Sequence, residues 1–163
     1  MTIFHCSACG AALTGTLQLL PAVPPRHVFD GVLVDGRRQA PPTVPRGGYA
    51  VDPEPHGPPF VPAPDQDGFP PAYPGGPCTS DVDGVIVISA GPRNTFVLHP
   101  EDAPDLTWHA TPDGPPGCCG APGDGPPNQA CRCGVVVGSV MSDCFTPYEL
   151  HLLPDAVRAA PAP

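Results

Sequence analysis

FHCSACGAAL, residues 4–13, places two cysteines three positions apart with a glycine directly behind the second. CRCGVVVG, residues 131–138, repeats the device near the other end of the 163-residue chain, with one residue between its cysteines instead of two. Zinc is held tetrahedrally by thiolates about 2.3 Å away, and a Cys-x-x-Cys turn lets two sulfurs reach one ion. Glycine suits the tight reversal that follows each pair. In an extended segment the i and i+2 side chains share a face, so Cys131 and Cys133 are expected to reach the same ion from a strand. Cys6, Cys9, Cys131 and Cys133 are therefore the expected zinc ligands, tying the N-terminal hairpin to the 131–134 turn. Two alternatives stay open: a ligand set drawn from the other cysteines and histidines, with His5 as first substitute, and small buried thiols without metal.

Outward from the first pair, Thr2–Cys6 and Leu13–Leu20 are short apolar stretches that flank the CSACGAA turn as a β-hairpin. HVFDGVLVDG (27–36) reads as a second hairpin with Asp-Gly at its turn. DGVIVIS (83–89) and TFVLH (95–99), joined by AGPRN, read as a third. HPEDAPDL is expected to form one helical turn and LTWHA (106–110) a short strand. CRCGVVVGSVM and YELHLL (148–153) follow the loop GCCGAPGDGPPNQA (117–130), and only PDAVRAA (154–160) has a helical composition. The pattern predicts a mainly β chain, a small antiparallel sheet domain spanning 1–163.

One segment departs from it. Residues 41–78 carry thirteen prolines, each lacking a backbone donor and biasing its predecessor away from helix. An irregular, polyproline-like surface insertion is expected, with GGYAV (47–51) docking as an edge strand.

Composition bounds the partners. Net charge is −9 with seven Lys and Arg, which disfavours nucleic acid and anionic membranes as ligands. A protein or small molecule, apolar or cationic, is the expected partner. The N-terminus shows no basic region followed by an apolar one, and no apolar run is long enough to span a bilayer, so a cytoplasmic protein is expected. In a reducing compartment eight cysteines read as metal ligands or redox groups rather than a disulfide frame.

CSACGAALT, GGYAVDPEP, GCCG, GPPNQACRCGVVVG and SDCFTPYELHL together resemble a family of uncharacterised actinobacterial zinc-binding-like proteins, to which no activity is attached. The first CxxC, the late cysteine pair followed by glycine and the apolar-Gly step after it are also similar to the β-tent proteins: yippee, the cereblon thalidomide-binding domain and methionine-R-sulfoxide reductases. That resemblance implies a β-tent-like fold in which zinc joins two sheets through Cys6, Cys9, Cys131 and Cys133. The cereblon-type pocket needs a cage of tryptophans, and Trp108 is the only tryptophan here.

Similarity to the reductases implies an alternative function, a thiol-based oxidoreductase with Cys144 as nucleophile and Cys118 or Cys119 as its resolving partner. SDCFTP lacks the flanking Arg and Asn of those enzymes, and Asp143 works against a thiolate at Cys144. A zinc-stabilised binding module is therefore expected over an enzyme. DVDG (81–84) and GDG (123–125) lack the spaced oxygen ligands of a calcium loop and read as turns.

Overall fold

Alternating residues in VVGSVM and ELHL build the centre of the molecule. The computed structural model describes residues 1–26, 33–34, 37–66, 83–109, 119–144 and 146–163. Its strands are β1 (Thr2–Cys6), β2 (Gln18–Leu19), β3 (Leu33–Val34), β4 (Arg37–Arg38), β5 (Gly48–Asp52), β6 (Phe60–Pro62), β7 (Val87–Ser89), β8 (Thr95–Leu98), β9 (Thr107–Trp108), β10 (Gln129–Ala130), β11 (Val136–Met141), β12 (Glu149–Leu152) and β13 (Val157–Pro161). Seven form one sheet in the order β2-β5-β8-β12-β11-β10-β9, while β1/β13, β3/β4 and β6/β7 are separate two-stranded ribbons. Among the described strands every ladder is antiparallel except that of β2 with β5. The fold is thus mainly β and antiparallel, as the sequence pattern predicts. Among the described residues no helix is long and apolar enough to cross a membrane.

The core lies where the terminal ribbon meets the large sheet. Phe4 of β1 is fully buried and packs edge-on against Tyr49 at 5.0 Å between ring centroids and tilted against Phe96 at 4.7 Å. Leu98, Val137, Leu150, Leu152 and Val157 complete the same cluster, together with Cys6 and Cys131. Each such large apolar side chain contributes roughly 1.5–3 kcal/mol by leaving water. β12 is buried along its whole length. Leu150 and Leu152 therefore point into this cluster, while Glu149 and His151, which alternate with them, point the other way.

Three expectations need correction. β5 is no edge strand: it lies between β2 and β8, and it sends Tyr49 and Ala50 into the interior. It avoids the surrounding prolines because GGYAVD is a proline-free run that can donate to both neighbours. β7 and β8 do not pair with each other. β7 pairs with β6 and β8 with β5 and β12, because Gly91 in the connection is pressed against the backbone of residues 56–58 and redirects the chain. Residues 157–160 of the stretch 154–160, helical by composition, fall in β13, since pairing with β1 over five residues outweighs the helical preference of alanines in so short a segment. In the second expected hairpin, Asp30–Gly31 falls outside the described residues, and the ladder seen joins Leu33–Val34 to Arg37–Arg38. The expected helical turn is a 3-10 turn at Pro100–Asp102, capped by His99 Nδ1, which accepts the Glu101 N–H.

Gly138 shows how tightly the sheet centre is assembled. A Cβ there would stand 2.4 Å from the carbonyl oxygen of His151, a backbone atom of the neighbouring central strand. Neither strand can retreat without breaking its ladder. Gly138→Ala is expected to destabilise by about 1–3 kcal/mol or more, read as a lower midpoint of denaturant unfolding; an unchanged midpoint would contradict this packing.

Candidate metal centre

Both cysteine pairs sit in hydrogen-bonded turns of similar build. Cys6 ends β1; its N–H donates to Ala11 O, and the Gly10 N–H returns to Cys6 O at 2.9 Å. Cys131 follows β10; its N–H donates to Val135 O, and the Gly134 N–H returns to Cys131 O at 2.7 Å. Gly10 (φ +73°) and Gly134 (φ +89°) adopt the left-handed conformation that closes such turns at low cost. Cys131 and Cys133 therefore converge through a turn and not, as the one-residue spacing suggests, through the pleat of a strand.

The four sulfurs come together where the ribbon meets the sheet. All lie within 4.8 Å of one another, with Cys6 Sγ 3.7 Å from Cys133 Sγ and Cys9 Sγ 3.6 Å from Cys131 Sγ. A disulfide would need about 2.05 Å. Thiolates about 2.3 Å from a tetrahedral ion stand about 3.8 Å apart, so these spacings fit the edges of a coordination tetrahedron. Cys6 and Cys131 are buried in the core, Cys9 and Cys133 exposed. This group could hold a metal ion.

The electrostatics of the thiols are uneven. Burial works to raise the Cys6 thiol, but the backbone N–H groups of Cys9 and Ala8 and the thiols of Cys133 and Cys9 outweigh it, lowering its pKa from 9.0 to about 7. Cys131 is pushed up to about 12 by burial and by the neighbouring thiols of Cys9, Cys133 and Cys6, against the backbone N–H of Cys133. One thiolate forms readily and then resists the next; a bound cation removes that resistance.

The other candidate thiols are divided. Cys119, exposed, and Cys144, buried, lie with Asp143 in a second group whose donor atoms are within 4.8 Å of one another, which could also hold a metal ion. Cys118 and Cys78 fall outside the described residues. His5, on β1, is not part of either group.

The sequence reading missed a buried polar network on the opposite face of β12. Arg26 Nε donates to Glu149 Oε1 at 2.8 Å and Arg26 Nη2 to Asp52 Oδ2 at 2.6 Å. Thr43 Oγ1 donates to Glu149 Oε1. His151 Nε2 meets Glu149 Oε2 at 2.8 Å, and Nδ1 meets Thr95 Oγ1 at 2.9 Å. His56 stacks on His151, 3.7 Å between centroids and 8° from parallel. Thr95, His151 and Glu149 line up as hydroxyl, imidazole and carboxylate, but all three are fully buried and cannot reach a substrate. The signal in the sequence was Glu149 and His151 at i and i+2, a polar face on an otherwise apolar strand.

Comparison with known proteins found no matching family model, no matching curated protein and no matching solved structure.

Proposed function

We propose that the chain is a small binding module in which Cys6, Cys9, Cys131 and Cys133 hold one structural zinc ion. The observation that carries this reading is the four-sulfur group, with its edges of 3.6 and 3.7 Å. Four thiolates fill a tetrahedral ion and leave no position for substrate, which is the mark of a structural site. One pair stands on the terminal ribbon and the other on the large sheet, and this placement supports the resemblance to β-tent proteins.

The metal turns also wall a surface groove of about 460 Å³, lined by Ser7, Ala8, Val135, Leu153, Pro154 and Ala156 among others. That size falls within the usual range for small-ligand sites. Ser7 and Ala8 lie between the first two ligands and Val135 lies two residues beyond Cys133, so the zinc would fix two walls of the groove. Its mostly apolar lining and the acidic chain suit an apolar or cationic small molecule or peptide, and neither nucleic acid nor a membrane surface. A reducing compartment, the cytoplasm, keeps such thiols available to zinc.

The oxidoreductase alternative has less support. Cys144 is 4% exposed, and the carboxylate of Asp143 lies within 4.8 Å of its sulfur, an arrangement that hinders a thiolate nucleophile. Alkylation kinetics test the choice. The zinc-loaded protein is expected to label slowly at Cys144; fast, selective labelling there, abolished by Cys144→Ser with zinc retained, would reverse the assignment.

A further inference from the structure

We propose that Cys119, Asp143 and Cys144 form a second metal site, for a thiophilic divalent cation of the zinc class. The site is independent of the four-cysteine centre: it is built from other residues, at the far end of β11.

Two chain segments are locked together to make it. Ser142 and Asp143 both donate their N–H groups to Ala121 O, at 2.8 and 3.1 Å, and the Ala121 N–H donates to Ser142 Oγ at 3.1 Å. Asp143 Oδ1 accepts the N–H groups of Cys119 at 3.0 Å and of Cys144 at 2.7 Å. The carboxylate is thereby oriented by donors from both cysteines, the kind of outer support that fixes a ligating carboxylate. Asp143 and Cys144 are 7% and 4% exposed, while Cys119 opens to solvent.

The mixture of donors decides the chemistry. Two sulfurs and a carboxylate oxygen within 4.8 Å of one another offer three donors to a single cation. Calcium and magnesium require more oxygen donors than this group supplies, whereas two sulfurs and one oxygen suit zinc. Among the described residues the donors number three, and Cys119 lies on the exposed side of the group.

Titration of the full-length chain, made metal-free and held reduced by a phosphine, with Zn²⁺ and with Co²⁺ tests the proposal. Two equivalents are expected to bind. Asp143→Asn keeps an oxygen to accept both N–H groups but removes the charge, so it is expected to weaken one equivalent by about 100-fold and leave the other unchanged. Cys119→Ser and Cys144→Ser should do the same, and the Co²⁺ spectrum should lose its mixed sulfur–oxygen component. A single equivalent in the unaltered chain, retained by all three variants, would overturn the second site and leave the four-cysteine reading standing. Two equivalents indifferent to all three changes would also overturn it. No binding at all would remove both sites.

Discussion

Replacing Cys131 with serine is expected to abolish tight zinc binding and with it the cooperative thermal unfolding of the chain. Cys131 is 1% exposed and packs within the main hydrophobic cluster, so the substitution acts at the contact between ribbon and sheet. Structural zinc contributes an apparent ~10–16 kcal/mol to the folding of small zinc-finger peptides at neutral pH. A domain of this size is stable by about 5–15 kcal/mol in total. The first quantity is as large as the second, so the metal-free fold should not persist. Chelation of the unaltered protein should produce the same loss, reversed by added zinc. Circular dichroism melts with and without chelator check this, together with zinc content after dialysis. A chelated protein that still melts cooperatively at the original temperature would show that the four thiols do not hold the fold together.

Acid should act in the same direction, because zinc binding requires all four thiols to lose their protons. Cys6, lowered to about 7, gives up its proton more easily than Cys131, which at about 12 without a cation does so only in exchange for the ion. Metal uptake near neutral pH should therefore release protons into an unbuffered solution.

Much of this arrangement was legible in the sequence. Cysteines followed by glycine carry their own turn geometry, and the short β-branched run in VVGSVM and the alternation in ELHL need no distant information to be read as strands. What escaped was decided by partners far away in the chain. β5 enters the sheet interior because β2 and β8 are there to accept it, and β13 is a strand because β1 needs an antiparallel partner at Thr2–Cys6. The buried network was hidden for the same reason. Asp52, Thr95 and Glu149 are ordinary surface residue types until the fold buries them beneath the half-buried Arg26, and only the Glu149–His151 spacing gives a local hint.

That network carries the second large effect: Arg26→Ala is expected to destabilise the protein by about 3–5 kcal/mol. Its guanidinium binds both Glu149, fully buried, and Asp52, 2% exposed. Removing one partner of a buried pair leaves the other charge uncompensated, and that remainder, more than the lost attraction, sets the cost. Burial works to raise the Glu149 carboxyl, yet the hydrogen bond and charge of His151 and the guanidinium of Arg26 hold it at about 2 instead of 4.5. At 1.36 kcal/mol per unit this is worth about 3 kcal/mol. The sign follows from the lowered value: the stabilisation is complete above pH 4.5 and fades as pH falls toward 2. His56 adds a shallower limb at higher pH. Burial first, then the His151 ring and the Arg26 charge, keep it well below 6.5 despite Glu149, so the unfolded chain gains a proton below pH 6.5 that the folded chain refuses. Glu149→Gln separates the two limbs. The stability difference between the unaltered protein and this variant, in which the acid lability of zinc cancels, should shrink as pH falls below 4.5. A difference independent of pH would mean that Glu149 is not held ionised by Arg26 and His151, and that the network is merely packed.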